Sequence, residues 1–160
     1  MDNQDRLSLL YVLDTSFFFC VMSLSGSLYT THEVCGELKD LRSKARLETL
    51  LAEGLLIHDP LRASCDHVRH TAVTSGDHTV LSRTDISVLA CAWDLHAIVV
   101  SDDFAVQNTA RHLGLRVQPI MQRAARKQRW HMVCTGCGAE GMEEGDCPVC
   151  GSPCYRRRIK

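Results

Sequence analysis

The chain has 160 residues, of which 45% are apolar and 23% are charged, values that exclude a disordered or fibrous protein. Eighteen lysines and arginines nearly balance 19 aspartates and glutamates, and no apolar run reaches the roughly 20 residues that a membrane span needs. Residues 1–6 lack the basic start of a secretory signal, so we expect a cytoplasmic protein without a membrane partner.

Short apolar segments at 9–13, 54–57, 97–100 and 115–117 have the pattern of strands buried on both faces of a sheet. Helical periodicity separates them: Thr31 is predicted to cap a helix that carries Val34, Leu38 and Leu41 on one face. Further helices are predicted over residues 43–53, 61–73 and 104–112, and from a cap at Ser82 through Trp93. This alternation predicts an α/β fold with a parallel sheet between helices.

Five acidic residues occupy positions where such a sheet would gather them. Asp14 directly follows the first strand, and Asp102 and Asp103 closely follow the run at 97–100. The other two are Glu37, beside the apolar face of its helix, and Asp85, in the first turn of the helix after Ser82. Because ligand sites in parallel sheets form beyond the carboxyl ends of the strands, we expect these acids to meet there. Their hard oxygen ligands suit Mg²⁺ or Mn²⁺.

Each acid also has a purely structural interpretation. Asp14 can cap a helix that begins near Phe17, and Asp102 or Asp103 can cap the helix at 104–112. Asp85 can complete a capping box with Ser82, and Glu37 can be a solvated surface acid. Taken together on one sheet edge, the acids favour the hypothesis of a metal-dependent site.

The order of these acids resembles that of the PIN-domain ribonucleases. Four segments carry the resemblance: YVLDTS at 11–16, EVCGEL at 33–38, LSRTDISVLA at 81–90 and VSDDF at 100–104. The resemblance implies that Asp14, Glu37, Asp85 and Asp103 are catalytic, with Asp102 as an extra or substitute ligand. It also implies that Asp14, Asp85 and Asp103 bind one or two Mg²⁺ or Mn²⁺ ions, with Ser16 and Ser101 nearby. The implied reaction is hydrolysis of single-stranded RNA by water, which leaves a 5′-phosphate and a 3′-hydroxyl.

Five of the nine cysteines lie in the last 27 residues, and four of them form two C-x2-C pairs. Cys134 and Cys137 are separated by nine residues from Cys147 and Cys150. Four thiolates satisfy tetrahedral Zn²⁺ and leave no open position, so we predict one structural zinc ion in a C-terminal zinc ribbon. A redox disulfide pair is the weaker alternative, and Cys154 is left over.

The balance of acidic and basic residues also changes near residue 120. Residues 1–120 carry 10 basic and 15 acidic side chains, whereas residues 121–160 carry 8 basic and 4 acidic ones. Basic side chains beside an aromatic ring suit phosphate contact and base stacking. The predicted RNA-binding residues are therefore Arg123, Arg126, Lys127, Arg129, Trp130, Arg156, Arg157 and Arg158. The alternative is that the tail packs on the body or on a protein partner.

We divide the chain into a nuclease domain at 1–120, a basic linker at 121–129 and a zinc ribbon at 130–160. This order resembles the endonuclease family of archaea and eukaryotes that matures the 3′ end of small-subunit rRNA, as does the TSGD segment at 74–77. The resemblance implies precursor small-subunit rRNA within a pre-ribosomal particle as the substrate. Two alternatives stay open: a toxin-type PIN ribonuclease acting on tRNA or mRNA, and a non-catalytic RNA-binding assembly factor.

Overall fold

Five short parallel strands form a sheet in the order β3-β2-β1-β4-β5 in the computed structural model, which describes residues 9–121, 129–141 and 144–159. The strands are β1 (Leu10–Leu13), β2 (Ser27–Thr30), β3 (Leu56–Ile57), β4 (Ile98–Val100) and β5 (Val117–Gln118). The helices are α1 (His32–Glu37), α2 (Leu41–Ala52), α3 (Arg62–Ser75), α4 (Arg83–Leu95) and α5 (Phe104–His112), with a 3-10 helix at Thr15–Phe19. The predicted α/β fold is confirmed.

The two central strands, β1 and β4, are the most deeply buried part of the sheet. Val12 pairs with Val99, and both are fully buried, as their continuous apolar runs predict. Helix α4 packs against both strands and contributes a run of buried residues at 87–92. The chain order reverses between β1 and β4, so the crevice beyond their carboxyl ends is the expected place for a ligand site.

Two features of the sheet differ from the sequence prediction. Strand β2 was not predicted, because only two of its four residues are apolar. The helix capped by Thr31 does not continue to Leu41: it ends at Glu37, and Asp40 caps a new helix by accepting a hydrogen bond from the backbone N–H of Ser43. Leu41 is consequently 85% exposed rather than part of an apolar face.

Strands β6 (Arg129–Cys134) and β7 (Cys154–Ile159) form a separate antiparallel ribbon, in which Cys134 lies opposite Cys154. Because β6 begins at Arg129, the ribbon includes the last residue of the linker as it was predicted. No helix within the described ranges has both the length and the apolar character needed to cross a membrane.

Candidate active site and zinc centre

Asp14 lies at the carboxyl end of β1, where only 5% of its surface is exposed. Its backbone N–H donates to the carbonyl of Val100, which extends the pairing of β1 with β4 beyond the strands. Its carboxylate accepts hydrogen bonds from the Ser101 hydroxyl at 2.6 Å and from the backbone N–H of Thr15 at 2.7 Å. Asp14 is therefore fixed between the two central strands, at the edge where ligand sites form.

Asp103 reaches the same edge after β4 and begins helix α5. Its Oδ1 caps the helix by accepting hydrogen bonds from the backbone N–H groups of Ala105 at 2.7 Å and Val106 at 3.0 Å. Its own backbone N–H donates to the Ser101 hydroxyl at 3.1 Å, so one serine connects Asp103 with Asp14. Oδ2 of Asp103 accepts no hydrogen bond from the described residues, which leaves it available to a cation or to water.

Glu37 is the last residue of α1, and two threonine hydroxyls hold its carboxylate. Thr15 donates to Oε2 at 3.0 Å, and Thr84 donates to Oε1 at 2.5 Å. Thr15 directly follows Asp14, and Thr84 directly precedes Asp85. The two threonines therefore connect Glu37 with the elements that carry two other acids. Sequence analysis missed both of them, although their positions beside predicted acids were a usable signal.

Asp85 completes the capping box of α4. The backbone N–H of Ser82 donates to its Oδ2 at 2.7 Å, and its own backbone N–H donates to the Ser82 hydroxyl at 3.1 Å. Capping fixes one carboxylate oxygen and leaves Oδ1 without a donor among the described residues. The structural interpretation of Asp85 is therefore correct, and it leaves one carboxylate oxygen available to a cation.

Burial and mutual repulsion perturb two of these acids. Burial, together with the carboxylates of Asp85 and Asp103, raises the pKa of Asp14 from 3.8 to about 6, although the hydrogen bond from Ser101 opposes the shift. Burial is also the main reason why the pKa of Asp85 is raised, with smaller contributions from Asp103 and Glu37. These influences define one electrostatic cluster, which we call the acidic cluster: Asp14, Glu37, Asp85 and Asp103.

The donor set of the acidic cluster fits a hard divalent cation, whose charge would relieve the repulsion. Among the described residues, no three of its acids have ligand oxygens that all lie within 4.8 Å of one another. Mg²⁺ usually retains several water molecules, so the protein need not supply all of its ligands.

Asp102 does not join the acidic cluster. Its Oδ1 accepts hydrogen bonds from the backbone N–H groups of Ile120 at 2.8 Å and Met121 at 3.1 Å, and its Oδ2 accepts a further one from Met121 at 3.2 Å. The carboxylate thus holds the backbone of residues 120 and 121, which follow β5. This arrangement favours Asp103 over Asp102 as a ligand, and the role of Asp102 stays a prediction.

A family model described as the PIN domain of ribonuclease matches residues 11–95, which include Asp14, Glu37 and Asp85. Endoribonuclease Nob1 of Pyrococcus abyssi is 39% identical over 151 residues, which cover 92% of this chain and 92% of the relative. The chain belongs to the Nob1 family. Endoribonuclease Nob1 of Archaeoglobus fulgidus is 35% identical, over 94% of this chain and 92% of the relative. Ribonuclease VapC1 of Thermoplasma acidophilum is 33% identical, over 82% of this chain and 69% of the relative.

Membership in the Nob1 family confirms the predicted relationship and the predicted endoribonuclease activity. The family match does not assign roles to individual acids, so the catalytic roles of the acidic cluster stay predictions.

The four predicted zinc ligands of this Nob1 family member converge in the ribbon. The Sγ atoms of Cys134, Cys137, Cys147 and Cys150 all lie within 4.8 Å of one another. Cys134 and Cys150 are 3.3 Å apart, and Cys137 and Cys147 are 3.7 Å apart, far beyond the roughly 2.05 Å of a disulfide. Sulfurs that bind tetrahedral zinc at about 2.3 Å are separated by about 3.8 Å, so the cluster fits a structural Zn²⁺ ion.

Local donors support thiolates at this centre. The backbone N–H groups of Gly136 and Cys137 donate to Sγ of Cys134 at 3.3 and 3.5 Å. Hydrogen bonds from Ser152 lower the pKa of Cys150 to about 6. Cys154, directly opposite Cys134, lies outside the four-sulfur group.

The predicted RNA-binding residues occupy different environments. Three of them, Arg123, Arg126 and Lys127, lie outside the described residues. Arg129 and Arg158 are exposed, and neither forms an ion pair with another described residue. Arg157 is half exposed and pairs with Glu140.

Trp130 and Arg156 contact the nuclease body instead. The guanidinium of Arg156 lies 4.8 Å from the centre of the Trp130 ring and forms an ion pair with the buried carboxylate of Asp77. Because their interacting groups are engaged within the protein, this contact disfavours RNA binding by these two side chains, and that role stays a prediction. Sequence analysis included Asp77 in the TSGD segment but assigned it no role, because no motif in the turn after α3 marks an ion pair.

Proposed function

We propose that the protein cleaves single-stranded precursor rRNA at the 3′ end of the small-subunit sequence, within a pre-ribosomal particle. The observation that carries this proposal is the acidic cluster, which the structure assembles at the carboxyl ends of β1 and β4 in a chain of the Nob1 family. The rRNA substrate is supported by the order of a PIN domain, a basic segment and a zinc ribbon. We also propose the cytoplasm as the compartment, because all nine cysteines are free of disulfides.

Asp14, Asp85 and Asp103 are the residues that would hold one or two Mg²⁺ or Mn²⁺ ions. A bound divalent ion lowers the pKa of water and stabilises negative charge on a phosphate. Oδ1 of Asp85 and Oδ2 of Asp103 have no other donor among the described residues, so they are the oxygens best placed for this task. Glu37, held by two threonine hydroxyls, is a fixed carboxylate that can orient the attacking water.

In the proposed reaction, a water oxygen bonds to phosphorus while the bond from phosphorus to the 3′ oxygen breaks. The water loses its proton to a carboxylate of the acidic cluster, and the 3′ oxygen takes a proton from solvent. Glu37 and Asp103 are exposed, so the site is open to solvent and to an extended strand. The products are a 5′-phosphate and a 3′-hydroxyl.

The tail is proposed to bind RNA without taking part in the chemistry. A Zn²⁺ ion held by four cysteines is fully coordinated and therefore stabilises the ribbon only. Arg129, Arg157 and Arg158 are the described arginines proposed to contact phosphates. The proposed division into nuclease domain (1–120), linker (121–129) and ribbon (130–160) places Arg123, Arg126 and Lys127 in the same basic region.

The test is to map cleavage with Mn²⁺ on an RNA that spans the 3′ end of precursor small-subunit rRNA, with tRNA in parallel. We expect one major cut in the precursor and intact tRNA. Asp85→Asn should abolish the cut, whereas Asp66→Asn should not, because Asp66 is an exposed acid of α3 that pairs with Arg69. Preferential cleavage of tRNA or mRNA would favour a VapC-like activity. Binding of the precursor without any cleavage would favour a non-catalytic assembly factor.

A further inference from the structure

Asp77 is a buried acid that the proposed reaction does not use, and only 1% of it is exposed. It follows Gly76, the residue that ends α3. Its Oδ2 accepts hydrogen bonds from the Ser75 hydroxyl and the Asn108 side-chain amide, both at 2.7 Å, and from the Thr109 hydroxyl at 3.3 Å. The nuclease body therefore satisfies one oxygen of this carboxylate.

The ribbon satisfies the other oxygen. Arg156, in β7, donates from Nη2 to Oδ1 of Asp77, and its guanidinium stacks on Trp130. The strand register places Arg156 opposite Met132 and Trp130 opposite Arg158, so these four side chains share the face of the ribbon that meets the body. Without the ribbon, Oδ1 would have no donor among the described residues, and a buried charge left unpaired in this way is costly.

Gly76 allows the body and the ribbon to approach closely at the same contact. Its φ is +80°, a conformation that favours glycine, and a Cβ added there would lie 2.4 Å from both Cβ and the carbonyl oxygen of Trp130. The backbone of the body therefore approaches the ribbon more closely than any other residue at this position would allow. This contact is independent of the ion pair and involves the same tryptophan.

The contact continues to the active site through α5. Asn108 and Thr109, which donate to Asp77, lie on this helix, and Asp103 caps its first turn. The ribbon is thus connected through a single carboxylate to the helix that carries an acid of the acidic cluster.

We propose that Asp77 is a positioning residue that docks the zinc ribbon on the nuclease body in one orientation, through Arg156, Trp130 and Gly76. In this orientation Arg129, on the opposite face of the ribbon, remains available to contact RNA at a fixed separation from the acidic cluster, as does the exposed part of Arg157, which pairs with Glu140. The consequence for RNA rests on the proposed function, whereas the docking itself does not.

Docking is tested by ¹⁵N relaxation of the zinc-loaded full chain. In the wild type, amides of residues 9–121, 129–141 and 144–159 should report one common rotational correlation time. In Arg156→Met, which keeps the aliphatic stem and removes the charge, the ribbon should tumble faster than the body. Arg158→Met is the matched control, since it removes an unpaired arginine from the same face of the same strand. Two correlation times in the wild type, or one in Arg156→Met, would overturn the docking.

The second variant is Gly76→Ala, which should separate the correlation times without changing any charge. Zinc content and amide dispersion show whether each variant is folded, so a misfolded variant is recognised as such.

The positioning role is tested with two RNAs, a short one that reaches only the acidic cluster and a long one that also reaches the ribbon. Arg156→Met should lower kcat/KM for the long RNA by about tenfold, through KM, and leave the short RNA unchanged, because a flexible connection lowers the effective concentration of the second contact. An unchanged ratio between the two RNAs would refute the positioning role. Failure of the wild type to cut either RNA would refute the proposed function, while the relaxation result would still decide the docking.

Discussion

Asp14 is subject to two opposing requirements, because it is buried where a charge is costly and must be ionised to hold a cation. Its pKa is raised from 3.8 to about 6 in the folded protein. Between about pH 4 and pH 6 the Asp14 carboxyl is therefore mostly protonated in the metal-free folded state and mostly ionised in the unfolded state. The resulting stabilisation is present at about pH 4 and is lost as the pH rises through about 6.

Asp14→Asn should therefore stabilise the metal-free protein at pH 8 while abolishing cleavage. We expect a gain of up to about 3 kcal/mol in the free energy of unfolding, since one pKa unit corresponds to about 1.36 kcal/mol. The gain should shrink towards pH 4, where the wild-type acid is protonated. Urea unfolding at several pH values measures it, with Asp66→Asn as an exposed control that should show no such trend. A loss of stability at pH 8 would contradict the burial argument.

The neighbours Asp102 and Asp103 provide a second test at the scale of single residues. Asp103→Asn should lower cleavage at least about 100-fold, because a cation ligand contributes several kcal/mol to the transition state. Asp102→Asn should keep cleavage within a few-fold of wild type and lower stability by about 1–2 kcal/mol, because it weakens the hydrogen bonds to residues 120 and 121. Single-turnover cleavage and thermal unfolding measure the two effects. The reverse pattern would make Asp102 the ligand.

Three of the described helices begin at or beside acids of the site. Asp14 caps the 3-10 helix, Asp85 closes the capping box of α4, and Asp103 caps α5. The sequence presents the structural and functional interpretations of these acids as alternatives, but the capping geometry makes the two compatible. A capping carboxylate is fixed by backbone N–H groups through one oxygen, which orients the other.

The sequence predicted the elements whose signals are local. The caps at Thr31 and Ser82 and the strands β1 and β4 follow from side-chain chemistry and apolar runs. Strand β2 escaped prediction because its stability comes from pairing with β1 rather than from its own pattern. The break before α2 escaped it because Leu38 and Leu41 matched helical spacing, while the competing cap at Asp40 went unrecognised.

The ribbon is an element that we expect to depend on its metal. Cys150→Ser should abolish binding of one equivalent of zinc and unfold strands β6 and β7, because so small a unit cannot bury enough apolar surface alone. Cys154→Ser should keep one equivalent, since its sulfur lies outside the four-sulfur group. Zinc content by metal analysis and amide dispersion of the ribbon measure the difference. Equal zinc in both variants would contradict the assigned ligand set.

At the scale of the whole molecule, the near-neutral net charge is the sum of an acidic body and a basic tail. The acidic body is proposed to hold cations, and the basic tail is proposed to hold phosphates. Only the folded chain shows that one tail arginine, Arg156, forms an ion pair inside the protein, with Asp77, which lies 79 residues away in the sequence. No local pattern distinguishes an arginine that pairs inside the protein from one that binds RNA, so this part of the site could not be predicted.

The proposed RNA contacts of the tail predict a salt dependence of RNA affinity. Arg129→Ala and Arg158→Ala should each weaken binding and reduce the slope of log K against log salt by about 0.7, the value for one phosphate contact on a single strand. Arg42→Ala, an exposed arginine on α2, should leave the slope unchanged. Fluorescence anisotropy at several salt concentrations measures the slopes. Equal slopes in all four proteins would assign the tail to protein contact.

The hydrogen bond between Asp14 and Ser101 spans 87 residues of sequence. Strand β1 pairs with β4, which is synthesised much later. The acidic cluster can therefore form only after β4 and Asp103 have been synthesised. Contacts between residues so distant in sequence form late in folding. A chain interrupted during translation before Ser101 therefore lacks both Asp103 and the serine hydroxyl that connects it with Asp14, so such a chain cannot assemble the acidic cluster.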